Sequence, residues 1–214
     1  MDSTLIQGEV INELAKAAGA EEEVEALTRR AMEGELDFRE ALRERVKKLE
    51  GLSVDQLEAV ADSMELTPGA SDLVRVLKQM GFKVALISGG FTFFTDRLQE
   101  QLGLDYAYAN RLVVEDGKLT GEVEGEIIDS ARKGELVEEL AKTEGIPLDE
   151  VVAIGDGAND QIMLKNAGLG IAFNAKEVLR KQADGQITKE NIAGLLYCLG
   201  ASDLELTRFT NEER

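Results

Sequence analysis

One stretch of ten residues, 151–160, constrains the fold more than any other part of the sequence. It reads VVAIGDGAND, in which four apolar residues run into a glycine. That pattern is typical of a short strand buried on both faces of a parallel sheet. Asp156, Asn159 and Asp160 fall in the turn that follows, and the next residues predict a helix over 161–167 with Asn159 or Asp160 as its cap.

The polar residues of this turn allow two interpretations. Ligands of open α/β sheets bind outside the carboxyl ends of the strands. Two carboxylates and an amide at that edge indicate a hard cation bound beside a phosphate. An Asp-Gly turn followed by an Asp cap uses the same residues without binding anything. The stretch alone leaves both interpretations open.

The amino-acid composition narrows the possible chemistry. The chain has no histidine and one cysteine, Cys198, which excludes a Ser-His-Asp triad, a His or Cys metal site and an internal disulfide. Cys198 is predicted to be a small buried hydrophobe. Any metal is therefore held by oxygen, which favours Mg²⁺ or Ca²⁺. The general acid or base is predicted to be a carboxylate.

Charge and hydropathy limit the partners. Acidic residues number 42 against 24 basic ones, for a net charge of −18, which disfavours binding to nucleic acid or anionic membranes. No apolar run approaches the roughly 18 residues of a membrane span, and no secretory signal opens the sequence. A cytoplasmic location is expected, and the sequence does not specify an oligomeric state.

Two regions differ in their secondary-structure pattern. The first 66 residues predict only helices, at 10–18, 21–32 and 36–49, with a fourth beginning at the capping box of Ser53. The rest alternates between strands and helices, which predicts a parallel α/β sheet. The expected elements there are helices at 68–81, to 102 and 131–142, and strands at 83–87, 107–114, 118–123, 151–154, 169–173 and 185–188. The strands 107–114 and 118–123 flank Asp116-Gly117, which predicts a hairpin.

Three further candidates are ambiguous by themselves. Ser88-Gly89-Gly90 ends a predicted strand and is either an oxyanion cradle or a plain glycine turn. Lys133 has the pattern of a solvated helix residue. Arg45 falls on an apolar stripe with Phe38 and Leu49, so it either extends to solvent or faces a cleft. Spacing alone favours extension to solvent.

The opening residues, MDSTL, resemble the first signature of the haloacid dehalogenase superfamily, Asp-x-Asp-x-Thr, entered at its second position. Together with 88–90, Lys133 and 155–160, all four signatures of that superfamily are represented in order. Over roughly 2–196 the chain resembles its phosphoserine phosphatases in particular. The segments that carry this closer resemblance are QGE at 7–9, AMEG at 31–34, DFR at 37–39, RERV at 43–46, GLDYA at 103–107 and GEVEG at 121–125.

The resemblance implies a Rossmann-like parallel sheet core with an inserted helical cap. The core would comprise 1–8 and 66–201, and the cap 9–65. A polar tail would follow at 202–214. The implied activity is Mg²⁺-dependent hydrolysis of O-phospho-L-serine to L-serine and phosphate through an aspartyl-phosphate, the last step of serine biosynthesis.

The resemblance also implies roles for the catalytic and metal-binding residues. Asp2 matches the aspartate that protonates the leaving oxygen and later activates water. The backbone carbonyl of Asp2 and the carboxylate of Asp156 would bind Mg²⁺, with Asp160 in support.

Substrate contacts follow from the same resemblance. Ser88, Gly89, Lys133 and Asn159 would surround the phosphate. From the cap, Glu9 would meet the substrate ammonium and Arg45 its carboxylate, which reverses the expectation that Arg45 points to solvent. Met32 and Phe38 would shield the closed site from water.

One part of the pattern is missing. The nucleophilic aspartate, and the central strand that carries it, would stand directly before Met1. A longer phosphatase whose sequence extends upstream is the favoured explanation. The alternatives are a non-catalytic relative that binds phosphoserine or a partner protein, and a phosphatase or phosphotransferase for another small ester such as homoserine phosphate.

Overall fold

The computed structural model describes residues 1–202, so the predicted polar tail lies almost wholly outside the described residues. Four helices come first, as the sequence predicts. Asp37 and Ser53 each form a capping box, with Glu40 and Gln56 respectively. The third helix begins two residues later than expected because Asp37 is its cap. These helices are α1 (Val10–Ala18), α2 (Glu21–Met32), α3 (Phe38–Lys47) and α4 (Val54–Ser63).

Strands and helices alternate in the remainder, which confirms the α/β class. The hairpin predicted at Asp116-Gly117 is present, with positive φ angles of 49° and 73° at these two residues. The elements are α5 (Ala70–Gln79), β1 (Ala85–Phe91), α6 (Thr92–Leu102), β2 (Tyr106–Glu115), β3 (Lys118–Glu124), α7 (Ser130–Glu144), β4 (Val152–Gly155), α8 (Gln161–Asn166), β5 (Leu169–Phe173), α9 (Glu177–Arg180), β6 (Gly185–Ile187) and α10 (Leu195–Cys198).

The strands of the described residues form two sheets rather than one. In the first, β1 pairs parallel with β2, and β2 pairs antiparallel with β3. In the second, β4, β5 and β6 are all parallel. Because β1 and β4 each end a sheet, each presents an edge that has no ladder partner among residues 1–202.

A cavity of about 610 Å³ separates the two sheets. Consecutive residues of both edges line it, 84–87 from the first sheet and 151–154 from the second, together with Met1 and apolar side chains of α5 and α7. The cavity is therefore bounded by two sheet edges and by apolar side chains from the helices.

The helices α1–α4 leave and rejoin the rest of the chain at one place. Ile6 and Leu66 form an antiparallel bridge there. Gln7 N donates to Glu65 O at 2.9 Å, and Thr67 N donates to Leu5 O at 2.9 Å. This crossing lies at the boundary drawn between cap and core from the sequence, and the division into those two units stays a prediction. Among residues 1–202, no helix combines the length and apolarity needed to cross a membrane.

Two local expectations were wrong. Pro68 lies before α5 rather than in its first turn, because Gly69, with φ of 82°, is the residue that caps the helix. Cys198 is exposed rather than buried. It ends the short helix α10, in which Leu195 and Leu196 occupy the face toward the core.

Candidate active site

The turn after β4 is built around a buried ion pair. Lys133 and Asp160 are 3% and 4% exposed, and Lys133 Nζ donates to Asp160 Oδ1 at 2.8 Å. The other oxygen of Asp160 accepts from the backbone N–H groups of Asp156 and Gly157, at 3.1 and 3.2 Å. A side chain at Gly155 would collide with the Asp160 carboxylate. The turn thus needs glycine where the carboxylate folds back.

This geometry corrects the expected helix cap. No side chain caps α8, although Asp160 stands at its cap position, because the carboxylate of Asp160 is bonded to the preceding turn and to Lys133. Burial raises the pKa of Asp160, but the charge and hydrogen bond of Lys133 outweigh it, so the pKa lies below its ordinary value. Asp160 is therefore an anion that fixes Lys133.

Asp156 has the opposite electrostatic character. Burial, and then the negative charge of Asp160, raise its pKa above the ordinary value, although a hydrogen bond from Thr4 Oγ1 at 3.0 Å lowers it in part. A nearby cation stabilises the charged form of a carboxylate that is partly buried beside a second carboxylate.

The first residues of the chain fold into the same place. Asp2 Oδ1 accepts from Val10 N at 2.8 Å, at the positive end of α1. Thr4 contacts Asp156 as described. The segment 1–5 therefore joins the start of the first helix to the carboxyl end of β4.

The side chains of Ser88 and Asp2 both lie next to Gly90. Ser88 is 1% exposed, and Gly90 N donates to its Oγ at 2.9 Å. A Cβ at Gly90 would lie 3.1 Å from Asp2 Oδ2, 3.1 Å from Ser88 Oγ and 2.8 Å from Met1 Cε. Ser88-Gly89-Gly90 lies inside β1 and not beyond its end, but the pairing with β2 shifts register between Ile87 and Phe91, so these residues leave the regular ladder.

The amino group of Met1 is buried near the charged groups described above. Burial lowers its pKa, and the charges acting on it are those of Asp2, Lys133, Asp160 and Asp156. The sequence signatures, spread from residue 2 to residue 160, thus surround one position.

Residues of the predicted cap also lie near this region. Phe38 Cζ lies 3.1 Å from where a Cβ of Gly89 would stand. Arg45 is partly buried, and its Nε donates to Ala41 O at 3.2 Å. Burial lowers the pKa of Arg45, while the charge of Glu9 raises it. Partial burial raises the pKa of Glu9, as do the carboxylates of Asp2 and Asp156. The charge of Glu9 therefore acts on Arg45, and the substrate contacts of both residues stay predictions.

Two predicted site residues are less closely placed. Met32 is 70% exposed at the end of α2, so its shielding role stays a prediction. Asn159 is half-buried in the 3₁₀ turn Ala158–Asp160, beside Gly157.

Sequence reasoning missed three residues that the structure connects to this site. Thr4 stands in the first signature, but no role was assigned to it. Asp129 is the N-terminal capping residue of α7. Its carboxylate also forms an ion pair of 2.6 Å with Arg39, which belongs to the predicted helical cap. Asn110 is fully buried in β2 and bonds to both Gly89 and Ile128. A polar residue on the same face of the strand as buried Leu112 was the signal that could have identified Asn110.

The donor set for a metal is made of oxygen. Among the described residues, no group of three or more His, Cys, Asp or Glu side chains is placed to hold a metal ion. The Asp156 carboxylate, whose pKa burial and Asp160 raise, is one oxygen donor at this turn, and its role as a ligand, together with the backbone carbonyl of Asp2, stays a prediction. Such a set fits Mg²⁺, which keeps waters and takes ligands from a bound phosphate.

Comparison with known proteins agrees with this arrangement. A family model for haloacid dehalogenase-like hydrolases matches residues 1–168. A phosphoserine phosphatase of Archaeoglobus fulgidus is 59% identical over 199 residues, covering 93% of the chain. One of Methanocaldococcus jannaschii is 49% identical over 195 residues, covering 91% of the chain. The chain spans 58% of the length of the first relative and 92% of the second.

Solved structures give the same result. A phosphoserine phosphatase described as a phospho-aspartyl intermediate analogue superposes with a TM-score of 0.87 at 48% identity, covering 92% of this chain and 95% of the other. A substrate-bound phosphoserine phosphatase complex has the same TM-score and identity, covering 92% and 94% of the two chains.

Proposed function

The chain belongs to the haloacid dehalogenase-like hydrolases, and on that premise we propose that it hydrolyses O-phospho-L-serine to L-serine and phosphate with Mg²⁺, through an aspartyl-phosphate. The observation that carries the proposal is the convergence of Asp2, Ser88, Lys133 and Asp156 on one position beneath the cap. The relatives named above are phosphoserine phosphatases. A cytoplasmic location, expected from the sequence, is part of the proposal.

Each core residue has a chemical role in this proposal. The Ser88 hydroxyl, the Gly89 backbone, Lys133 and Asn159 bind the phosphate, because phosphoryl transfer depends on positioning and charge neutralisation. Asp2 donates a proton to the leaving serine oxygen and later accepts one from water.

The metal would be held at the carboxyl end of β4, beside the proposed phosphate site. The carboxylate of Asp156 and the backbone carbonyl of Asp2 are its proposed ligands, and when bound it would neutralise charge on the phosphate oxygens. Asp160 supports the site by fixing Lys133 and the turn.

The cap supplies the specificity for an amino acid. A zwitterionic substrate needs one carboxylate and one guanidinium, and Glu9 and Arg45 provide that pair across the cleft. Phe38 lies over Gly89 and would exclude water, with Met32 joining it on closure. The pair sets the type of substrate but not its length, so homoserine phosphate is the second candidate.

We also propose that a strand ending in the nucleophilic aspartate stands directly before Met1. Two observations support this. The edges of β1 and β4 border one apolar cavity, and the Met1 amine is buried where the charges of Asp2, Lys133, Asp156 and Asp160 act on it. A non-catalytic protein that binds phosphoserine would have the same pocket without the nucleophile.

The test is phosphate release from O-phospho-L-serine by the protein extended upstream with an apolar strand that ends in Asp. We expect Mg²⁺-dependent hydrolysis that EDTA abolishes, and faster turnover of phosphoserine than of homoserine phosphate. The matched control carries Asn in place of the added Asp. Binding of phosphoserine without hydrolysis by a folded extended form would favour the non-catalytic alternative.

A further inference from the structure

Asn110 is a buried amide whose two hydrogen bonds connect separate parts of the phosphate site. It lies in β2 with 0% exposure. Its Nδ2 donates to Gly89 O at 2.8 Å, and its Oδ1 accepts from Ile128 N at 2.8 Å. Burying an amide is unfavourable unless its donor and acceptor are satisfied. Here both are satisfied, by backbone groups distant in sequence.

The bond to Gly89 replaces a missing rung of the sheet. In the ladder between β1 and β2, Ile87 stands opposite Tyr108 and Phe91 stands opposite Asn110. Four steps along β1 thus correspond to two along β2, so residues 88–90 bulge out of the pairing. Bulges beside active sites re-aim the chain. The Asn110 side chain provides the partner that the Gly89 carbonyl needs at this bulge.

The bond to Ile128 fixes the start of α7. Asp129 follows directly and caps the helix, its Oδ1 accepting from Arg132 N at 2.9 Å. Lys133 is the next residue, and its backbone N–H donates to Asp129 O at 2.9 Å. One amide therefore joins the bulge that carries Ser88 and Gly89 to the helix start that presents Lys133.

We propose that Asn110 is a positioning residue that sets the distance between the Ser88-Gly89 bulge and Lys133. It touches neither substrate nor metal and acts through the backbone at Gly89 and Ile128. The identification of the bulge and Lys133 as a phosphate site rests on the proposed function. The connection between the two backbone segments rests only on the hydrogen bonds of Asn110.

The experiment compares Asn110→Leu and Asn110→Ala with Leu112→Ala. Leu has nearly the shape of Asn but makes neither bond, and Ala is the second variant should Leu fail to fold. Leu112 is buried on the same face of β2, two residues along, so Leu112→Ala weakens the core without touching the two bonds. Amide hydrogen exchange at Gly90 and Ile128, and binding of inorganic phosphate, are measured well below the melting temperature.

We expect amide exchange at Gly90 and Ile128 to accelerate at least about tenfold in both Asn110 variants, with phosphate affinity reduced about tenfold. Leu112→Ala should lower Tm and change neither quantity. The proposal is overturned if the Asn110 variants change exchange and phosphate affinity no more than Leu112→Ala does. Failure of the unaltered protein to bind phosphate would instead count against the proposed function, and hydrogen exchange would still decide the role of Asn110.

Discussion

At the scale of single residues, Arg45 offers the sharpest test of substrate recognition. In the extended active form, Arg45→Ala should lower kcat/KM for phosphoserine, because a charge-assisted contact to the substrate carboxylate is lost. The decrease should correspond to a loss of about 2–4 kcal/mol in transition-state stabilisation. Turnover of p-nitrophenyl phosphate, which has no such carboxylate, should be spared. Arg43→Ala, at an exposed position of the same helix, is the control. Equal losses on both substrates would remove Arg45 from the role of carboxylate anchor.

Asp156 tests the metal assignment. In the extended form, Asp156→Asn should remove an anionic oxygen ligand, so Mg²⁺-dependent activity should disappear while thermal unfolding stays cooperative. Because burial and Asp160 already raise the pKa of Asp156, its neutral amide should not destabilise the fold. The measurement is a Mg²⁺ titration of activity with a parallel thermal melt, and Asp149→Asn at an exposed position is the control.

The same metal site predicts a difference between two cations. Ca²⁺ should bind without supporting turnover, because its looser and higher coordination misplaces the attacking oxygen. If Asp156→Asn kept near-normal activity at modest Mg²⁺, the metal assignment would be abandoned.

The sequence identified candidate site residues, whose roles stay predictions, but it did not predict their local contacts. Ser88, Lys133 and Asp156 each have a plain structural interpretation, and the resemblance selected the functional one. Asp160 was expected to cap a helix, but the nearby buried Lys133 attracts its carboxylate away from that position. That attraction depends on how α7 packs against the turn, which spacing along the chain does not encode.

At the scale of elements, Asp105 fixes the junction between α5, α6 and the start of β1. Its carboxylate accepts from Val84 N at 2.8 Å and pairs with Lys78 at 2.6 Å. Burial raises its pKa, but the hydrogen bond from Lys78 and that from Val84 outweigh burial, so the pKa lies below the ordinary 3.8. The stabilisation is therefore present above pH 3.8 and is lost as pH falls through the lower pKa of the folded state.

Asp105→Asn should accordingly lower the free energy of unfolding at neutral pH by about 1–3 kcal/mol. It should also make stability less dependent on pH in the acid range, because the variant has lost the group whose protonation destabilises the fold. Urea unfolding of both proteins between neutral and acid pH measures this, with Asp149→Asn as the control. Parallel curves of stability against pH for Asp105→Asn and the unaltered protein would contradict it.

Elements that are specified by residues adjacent in sequence were predicted well. Elements whose extent depends on strand pairing were not. The capping box at Ser53 and the Asp116-Gly117 hairpin depend on residues adjacent in sequence. The extent of β1 depends on its register with β2, so the extension through Ser88-Gly89-Gly90 to Phe91 was not visible from the sequence.

At the scale of the whole molecule, the strands are divided between two sheets. This division explains why the fold class was predictable from the sequence and the order of the strands was not. Alternation of strands and helices is a local pattern, and it predicted the α/β class with its parallel strand pairs. Which strands become neighbours depends on the complete set of strands. β1 and β4 belong to different sheets and border the same cavity, and the proposed upstream strand is expected to pair with both edges there.

The last prediction compares the chain exactly as printed with a form extended upstream by an apolar strand of about five residues ending in Asp. In the printed chain the Met1 amine lies among Asp2, Lys133, Asp156 and Asp160. Mg²⁺ should bind more weakly there, because an anionic ligand is missing and, when the amine is protonated, a cation is close. Phosphate can still bind at Ser88 and Lys133, but no aspartyl-phosphate can form, so turnover should be absent.

Stability should change together with activity. Unpaired edges at β1 and β4 should leave the printed chain less stable and prone to aggregate, and the added strand should raise Tm and restore Mg²⁺-dependent phosphoserine hydrolysis. A thermal melt and a phosphate-release assay on both forms provide the comparison. An extension ending in Asn should raise Tm without restoring hydrolysis, which separates the strand from the nucleophile. Robust hydrolysis by the printed chain would show that the nucleophile lies among its own residues, because no added aspartate would then be needed.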